Sequence, residues 1–132
     1  LLNTVFKLGG ASLVINKIIG ILFGKSSLND PSKKGMIHFW KSTIQKYPAT
    51  ITKAVEGVIQ RSGIASDLEK IITPTLVAVG EEDVATLPGK SERIHHAIKG
   101  SKFILIPTAG HSSCLEQPQI VSKIVADFIN AS

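Results

Sequence analysis

Two short apolar runs in the second half of the chain constrain the fold most: Pro74-Thr75-Leu76-Val77-Ala78-Val79-Gly80 and Lys102-Phe103-Ile104-Leu105-Ile106. The first is opened by proline and closed by glycine, and Pro107 stops the second. Neither alternates apolar with polar residues, so each reads as a strand buried on both faces, as in a parallel sheet. The segment between them predicts a short helix over Lys90 to Ile98, ended by Gly100. A strand–helix–strand unit implies parallel strands and a right-handed crossover. Two such strands do not make a stable sheet alone; they need further strands beside them and helices on both faces. No further strand is evident in the sequence, so the unit is expected to be part of a larger sheet.

The rest of the chain is helical. Val14, Ile15, Ile18, Ile19 and Leu22 predict a helix with one apolar face from about Ala11 to Phe23. Ser26 to Ser32 reads as a loop by composition. A second helix is expected from Pro31 or Ser32 to Lys46, with Asp30 as its cap. A third is expected from Ala49 to Arg61, and Ser66-Asp67-Leu68-Glu69 resembles a capping box that opens one more helical turn. Thr108 to Gln117 reads as a loop. The final helix starts near Pro118, with the stripe Ile120, Val121, Ile124, Val125, Phe128 and Ile129.

Composition narrows the function classes. The 132 residues are 43% hydrophobic and 19% charged, enough for a real core. The net charge of +5 is spread along the chain, and aromatic residues show no base-stacking pattern, so no nucleic-acid partner is expected. The apolar stretch from Leu8 to Gly24 is slightly short for a membrane span and carries Asn16-Lys17 at its centre, so no span is expected. The single cysteine, Cys114, excludes an intrachain disulfide framework and suggests a reducing, cytoplasmic setting. His95 and His96 are adjacent on a helix and so face different directions, which predicts no metal site. No phosphate loop or dinucleotide motif is present, and no cofactor is expected.

The chemistry resides in two loops that follow the strands. One is Gly80-Glu81-Glu82-Asp83; the other is Pro107-Thr108-Ala109-Gly110-His111-Ser112. Ligands of open parallel sheets bind outside the carboxyl ends of the strands. Adjacent strands would bring Asp83 and His111 to the same edge. A carboxylate accepting from one imidazole nitrogen fixes the tautomer and leaves the other nitrogen as a general base. Gly110 allows the loop to approach its neighbours closely. By spacing alone, the pair could also be a capping aspartate and an ordinary loop histidine.

The stretch from Ile72 to Asn130 resembles the end of an α/β-hydrolase-fold protein, of the branch that includes enol-lactonases, cofactor-free haloperoxidases and esterases. Two motifs carry the resemblance. They are Pro74-Thr75-Leu76-Val77 leading to Gly80 and Asp83, and Gly110-His111 followed by Glu116-Gln117-Pro118. The resemblance implies that Asp83 is the acid and His111 the base of a Ser-His-Asp triad, with Glu81 and Glu82 as alternative acids. It implies a partial α/β-hydrolase fold, with a helical cap over residues 1–71 and the last part of the core over 72–132. Phe39, Trp40 and Tyr47 would line the pocket or pack between cap helices, and His38 would pack within the cap.

The pattern departs from the family at the nucleophile. No G-x-S-x-G elbow is present. Gly10-Ala11-Ser12-Leu13-Val14 lacks the final glycine, and Cys114 lies in the histidine loop rather than on an elbow. The nucleophile and oxyanion hole are therefore expected upstream of this chain. The parent is expected to hydrolyse a small apolar ester, lactone or related carbonyl compound, and the 132 residues alone are expected to be inactive. A non-catalytic small-molecule binder or an interaction module is the alternative. The exposed strand surfaces, including Leu76, Val77, Val79, Phe103, Ile104 and Leu105, would be covered by the missing half of the fold, by a second copy or by the chain's own cap helices.

Overall fold

The structure is a computed structural model that describes residues 11–48 and 50–131. It divides into two compact units, Leu1–Gly20 with Asp30–Gly63, and Ile21–Asn29 with Ile64–Ser132.

The first unit is helical. Helix α1 (Ala11–Leu22) begins in it and ends in the second unit, and Val14, Ile15 and Ile19 are buried. After α2 (Lys25–Asn29), which belongs to the second unit, a 3-10 turn at Pro31–Lys33 leads into α3 (Lys34–Gln45). Asp30 caps that turn as expected, its Oδ1 accepting from the Ser32 amide at 2.8 Å. Ile44 is the buried apolar residue of α3. Phe39 and Trp40 meet edge to face with ring centroids 5.5 Å apart. His38 does not pack inside as expected; it is exposed, because it lies on the solvent side of α3. Helix α4 (Ile51–Gln60) follows.

The second unit contains the sheet. Strands β1 (Leu76–Gly80) and β2 (Lys102–Ile106) pair in parallel, with Leu76 opposite Lys102 and Gly80 opposite Ile106. Between them runs α5 (Pro88–Ala97), with Pro88 in its first turn, where a missing N–H costs nothing. Gly100 turns the chain back into β2 with φ 79°, a conformation that glycine adopts without strain. After β2 come the short α6 (Ser113–Glu116) and α7 (Pro118–Asn130). The core of this unit consists of Phe23, Val79, Ile98, Ile106 and Ala109.

Four local expectations need correction. Ser26 to Ser32 is not loop throughout: α2 occupies its start, because the free amide of Ser26 in the first turn finds an acceptor in Glu82 at 2.8 Å. Ser66 caps nothing. The 3-10 turn Ala65–Lys70 has Ile64 at its cap position without a side-chain bond, and Asp67 pairs instead with Lys70 at 2.6 Å. Thr108 to Gln117 contains α6. The strand faces are less bare than expected. Val79 is buried, and Leu76, Val77, Phe103 and Ile104 are half-buried, because α5 packs against both strands and His95 stacks on Phe103 at 5.6 Å. Only Leu105 of that group is exposed. His95 and His96, with ring centroids 5.3 Å apart, turn to separate partners, Ser101 for His95 and the Glu92 carbonyl for His96.

Candidate active site

The two loops leave the sheet at its carboxyl edge and run side by side. The Glu81 amide donates to the Ile106 carbonyl at 2.9 Å, and the Glu82 amide to that of Ala109 at 2.8 Å. These bonds continue the β1–β2 pairing past the strands and set the next residue of the first loop, Asp83, beside the second loop. The Asp83 amide closes a turn onto the Gly80 carbonyl at 3.1 Å.

Asp83 is buried, at 4% exposure, and its carboxyl group is fully engaged. Oδ1 accepts from the amides of Ala85 and Thr86, both at 2.8 Å. Oδ2 accepts from the Thr86 hydroxyl at 2.8 Å and lies 2.9 Å from Nδ1 of His111. Burial is the largest single influence on this carboxyl and pushes its pKa up. The Thr86 amide, the His111 imidazole and the Thr86 hydroxyl pull it down and together prevail, so it lies below the usual 3.8. An ionised carboxylate can only accept, so the proton in the contact with His111 is carried by Nδ1. In the neutral imidazole Nε2 then keeps its lone pair, and the His111 side chain is 41% exposed and accessible to a reactant.

The second loop is held tightly. Thr108 takes a positive φ of 52°, which costs a residue with a branched side chain of order 1–3 kcal/mol. Gln117 stabilises it there, its amide nitrogen donating to the Thr108 hydroxyl at 2.6 Å. Gly110 provides space rather than an unusual backbone conformation, since a Cβ there would overlap the backbone of Phe23 and Gly24.

The structure therefore brings Asp83 and His111 together and leaves the other candidates apart. Glu81 reaches the Thr108 amide at 3.4 Å, and Glu82 is bonded to Ser26; neither contacts His111 in the bonds described. Cys114 is exposed on α6. Ser12 falls in the first turn of α1, and Gly10 of its pattern lies outside the described residues. Among the described residues no three His, Cys, Asp or Glu side chains cluster to hold a metal, and no helix is long and apolar enough to cross a membrane.

No protein-family model matches the chain. Over 82 residues, 62% of this chain and 26% of the relative, it is 27% identical to a pimeloyl-[acyl-carrier protein] methyl ester esterase of Neisseria meningitidis. Its structure superposes on a thermophilic esterase from Thermogutta terrifontis with a TM-score of 0.86 at 24% identity, covering 98% of this chain and 47% of that one. It also superposes on the enol-lactonase from Burkholderia xenovorans LB400 with a TM-score of 0.86 at 17% identity, covering 98% and 48%. The chain carries part of the α/β-hydrolase fold. It spans about half the length of these α/β-hydrolase structures and about a quarter of the esterase relative.

Within this portion of the fold, the sequence pairs Asp83 with His111, which the structure places 2.9 Å apart, and does not point to Thr86 beside them. A local signal for Thr86 exists: in Asp-x-x-Thr the aspartate readily bonds the backbone two and three residues on, which places the threonine hydroxyl beside it. In the sequence Glu116 marks only the entry to the last helix. It is 2% exposed and bonds the Gly24 and Gly110 amides, both at 2.8 Å. No local pattern announces that, because one partner is 92 residues away.

Proposed function

We propose that this chain supplies the acid and base of a Ser-His-Asp hydrolase acting on a small ester, lactone or related carbonyl compound. Asp83 is the acid, His111 the base, and the serine and oxyanion hole come from chain outside these 132 residues. The observation that carries this reading is the 2.9 Å contact between Asp83 Oδ2 and His111 Nδ1 at the carboxyl ends of adjacent parallel strands. The carboxylate orients the ring and stabilises the imidazolium once Nε2 has taken the serine proton. Nε2 later returns that proton to the leaving group. Proton transfer by such a positioned group contributes about 10²–10⁴ in rate.

Residues 1–71 are the helical cap in this proposal, apart from Ile21–Asn29 and residues 64–71, which belong to the core unit. The apolar residues of that region, Phe39, Trp40 and Tyr47 among them, favour an apolar substrate. The remaining half of the fold is the partner of the sheet, and the lone Cys114 fits a cytoplasmic setting.

The test is made on the longest reading frame that contains this chain. An elbow serine is expected within roughly 100–150 residues upstream, the scale of one domain. That protein is expected to hydrolyse short activated esters or lactones and to lose the activity on serine-to-alanine and His111→Ala substitution. Binding of such compounds without turnover would favour the binder instead.

A further inference from the structure

Both loops that carry the acid and the base are fastened to one short piece of chain far away in sequence, the Leu22–Ser26 segment at the junction of α1 and α2. On the histidine side, Glu116 Oε1 accepts from the Gly110 amide and Oε2 from the Gly24 amide, each at 2.8 Å. The Ser112 amide donates to the Leu22 carbonyl at 2.8 Å. These bonds flank His111 on both sides in sequence. On the aspartate side, Glu82, the residue before Asp83, accepts from the Ser26 amide at 2.8 Å and from the Ser26 hydroxyl. The backbones approach so closely that a Cβ at Gly24 would overlap Glu82 and Gly110, and a Cβ at Gly110 would overlap Phe23 and Gly24. Phe23, between these contacts, is 2% exposed.

We propose that the Leu22–Ser26 segment is a shared anchor that sets the separation of Asp83 and His111, with Glu116 and Glu82 as its positioning residues. Geometry supports the assignment. A carboxyl with both oxygens on backbone amides of different segments fixes their spacing to within the range of a hydrogen bond. Glu116 does this on the histidine side, and Glu82, whose two oxygens accept from the Ser26 amide and hydroxyl, ties the aspartate loop to the same reference. The energetics agree, since a buried amide that loses its acceptor is costly and the loop would have to move to recover one. The inference rests on reading Asp83 and His111 as acid and base. Its test reads the geometry of that pair rather than hydrolysis, so either can fail without the other.

The experiment is ¹⁵N-edited NMR on the protein of the longest reading frame that contains this chain, following solvent exchange of the His111 Nδ1 proton and of backbone amides. In Glu116→Gln one carboxyl oxygen becomes an amide donor that faces a backbone N–H. The Nδ1 proton is expected to exchange about tenfold faster, with the Gly24 or Gly110 amide, while Val79 and Leu105 in the strands keep their protection. Ser26→Ala, which removes only the hydroxyl donor to Glu82, is expected to act in the same direction by about threefold. It carries the test alone if Glu116→Gln does not fold. An unchanged Nδ1 proton in both variants, or in Ser26→Ala when only that variant folds, overturns the proposal. So does a loss of protection that spreads equally to the strands, which would make these residues supports of the whole unit rather than of the pair.

Discussion

Asp83 Oδ2 and His111 Nδ1 lie 2.9 Å apart, and the Thr86 hydroxyl, 2.8 Å from the same oxygen, stands 3.3 Å from the imidazole nitrogen. The aspartate is thus the hub of a three-residue arrangement in which every carboxyl contact is a donor pointing inward. Asp83→Asn keeps the shape but must place an NH₂ group against at least one of those donors. The variant is expected to be about 1–3 kcal/mol less stable in urea unfolding. If the longer protein has the proposed hydrolase activity, the variant is expected to lower kcat by about 10⁴, because the imidazole tautomer is no longer held. Unchanged stability and kcat would sink the hub reading.

The same carboxyl gives the acid dependence of stability a definite sign. Its folded pKa lies below the usual 3.8, so the unfolded state takes up its proton first as pH falls. The stabilisation is complete above about pH 4 and is lost as pH drops through the lowered folded value. Asp30, held low first by the Ser32 hydroxyl and then by the Ser32 amide, contributes with the same sign. Denaturation curves between pH 6 and 2 (wild type, Asp83→Asn and Asp30→Asn) separate the two. Asp83→Asn is expected to flatten the acid limb, and an unaltered limb would contradict the assignment.

Glycine substitutions are expected to split by location. At Gly80 a Cβ would overlap the carbonyl oxygens of Ala109 and Gly110, so Gly80→Ala is expected to push the histidine loop away and cost about 1–3 kcal/mol. Gly57 lies inside α4 with nothing near its missing Cβ, so Gly57→Ala is expected to stabilise by about 0.5–1 kcal/mol. Thermal unfolding of both variants checks the pair; equal effects would mean that the close approach at Gly80 does not form.

The 132 residues alone are expected to show no burst and no turnover with activated esters, since the proposed nucleophile and oxyanion hole are absent from them. Histidine-dependent turnover by this chain would instead point to Ser12 or Cys114.

Association is expected at micromolar concentration. Among the described residues β1 has a ladder partner only in β2, and Ile72 and Leu105 are exposed. An unpaired strand edge is a template for another chain. Sedimentation that shows one monodisperse monomer across this range would rule this out.

The sequence by itself determined much of the second unit. The non-alternating apolar runs located both strands, Pro118 located the start of the last helix, and the position of Asp83 and His111 after adjacent parallel strands brought them to one edge. These readings rest on short-range pattern and on a general property of parallel sheets, so they needed no knowledge of distant contacts. Only the tertiary structure decided what holds the pair in place. Ser26 to Ser32 looked like loop because its helical start depends on Glu82, 56 residues away from Ser26. Glu116 looked like an ordinary helix entry because one of its amide partners is 92 residues distant. Gly24 carried no signal because the reason for it is the backbone of Gly110 passing alongside. A hydrogen bond between distant segments leaves no periodicity in either, so the juxtaposition of Asp83 and His111 could be read along the chain and its support could not.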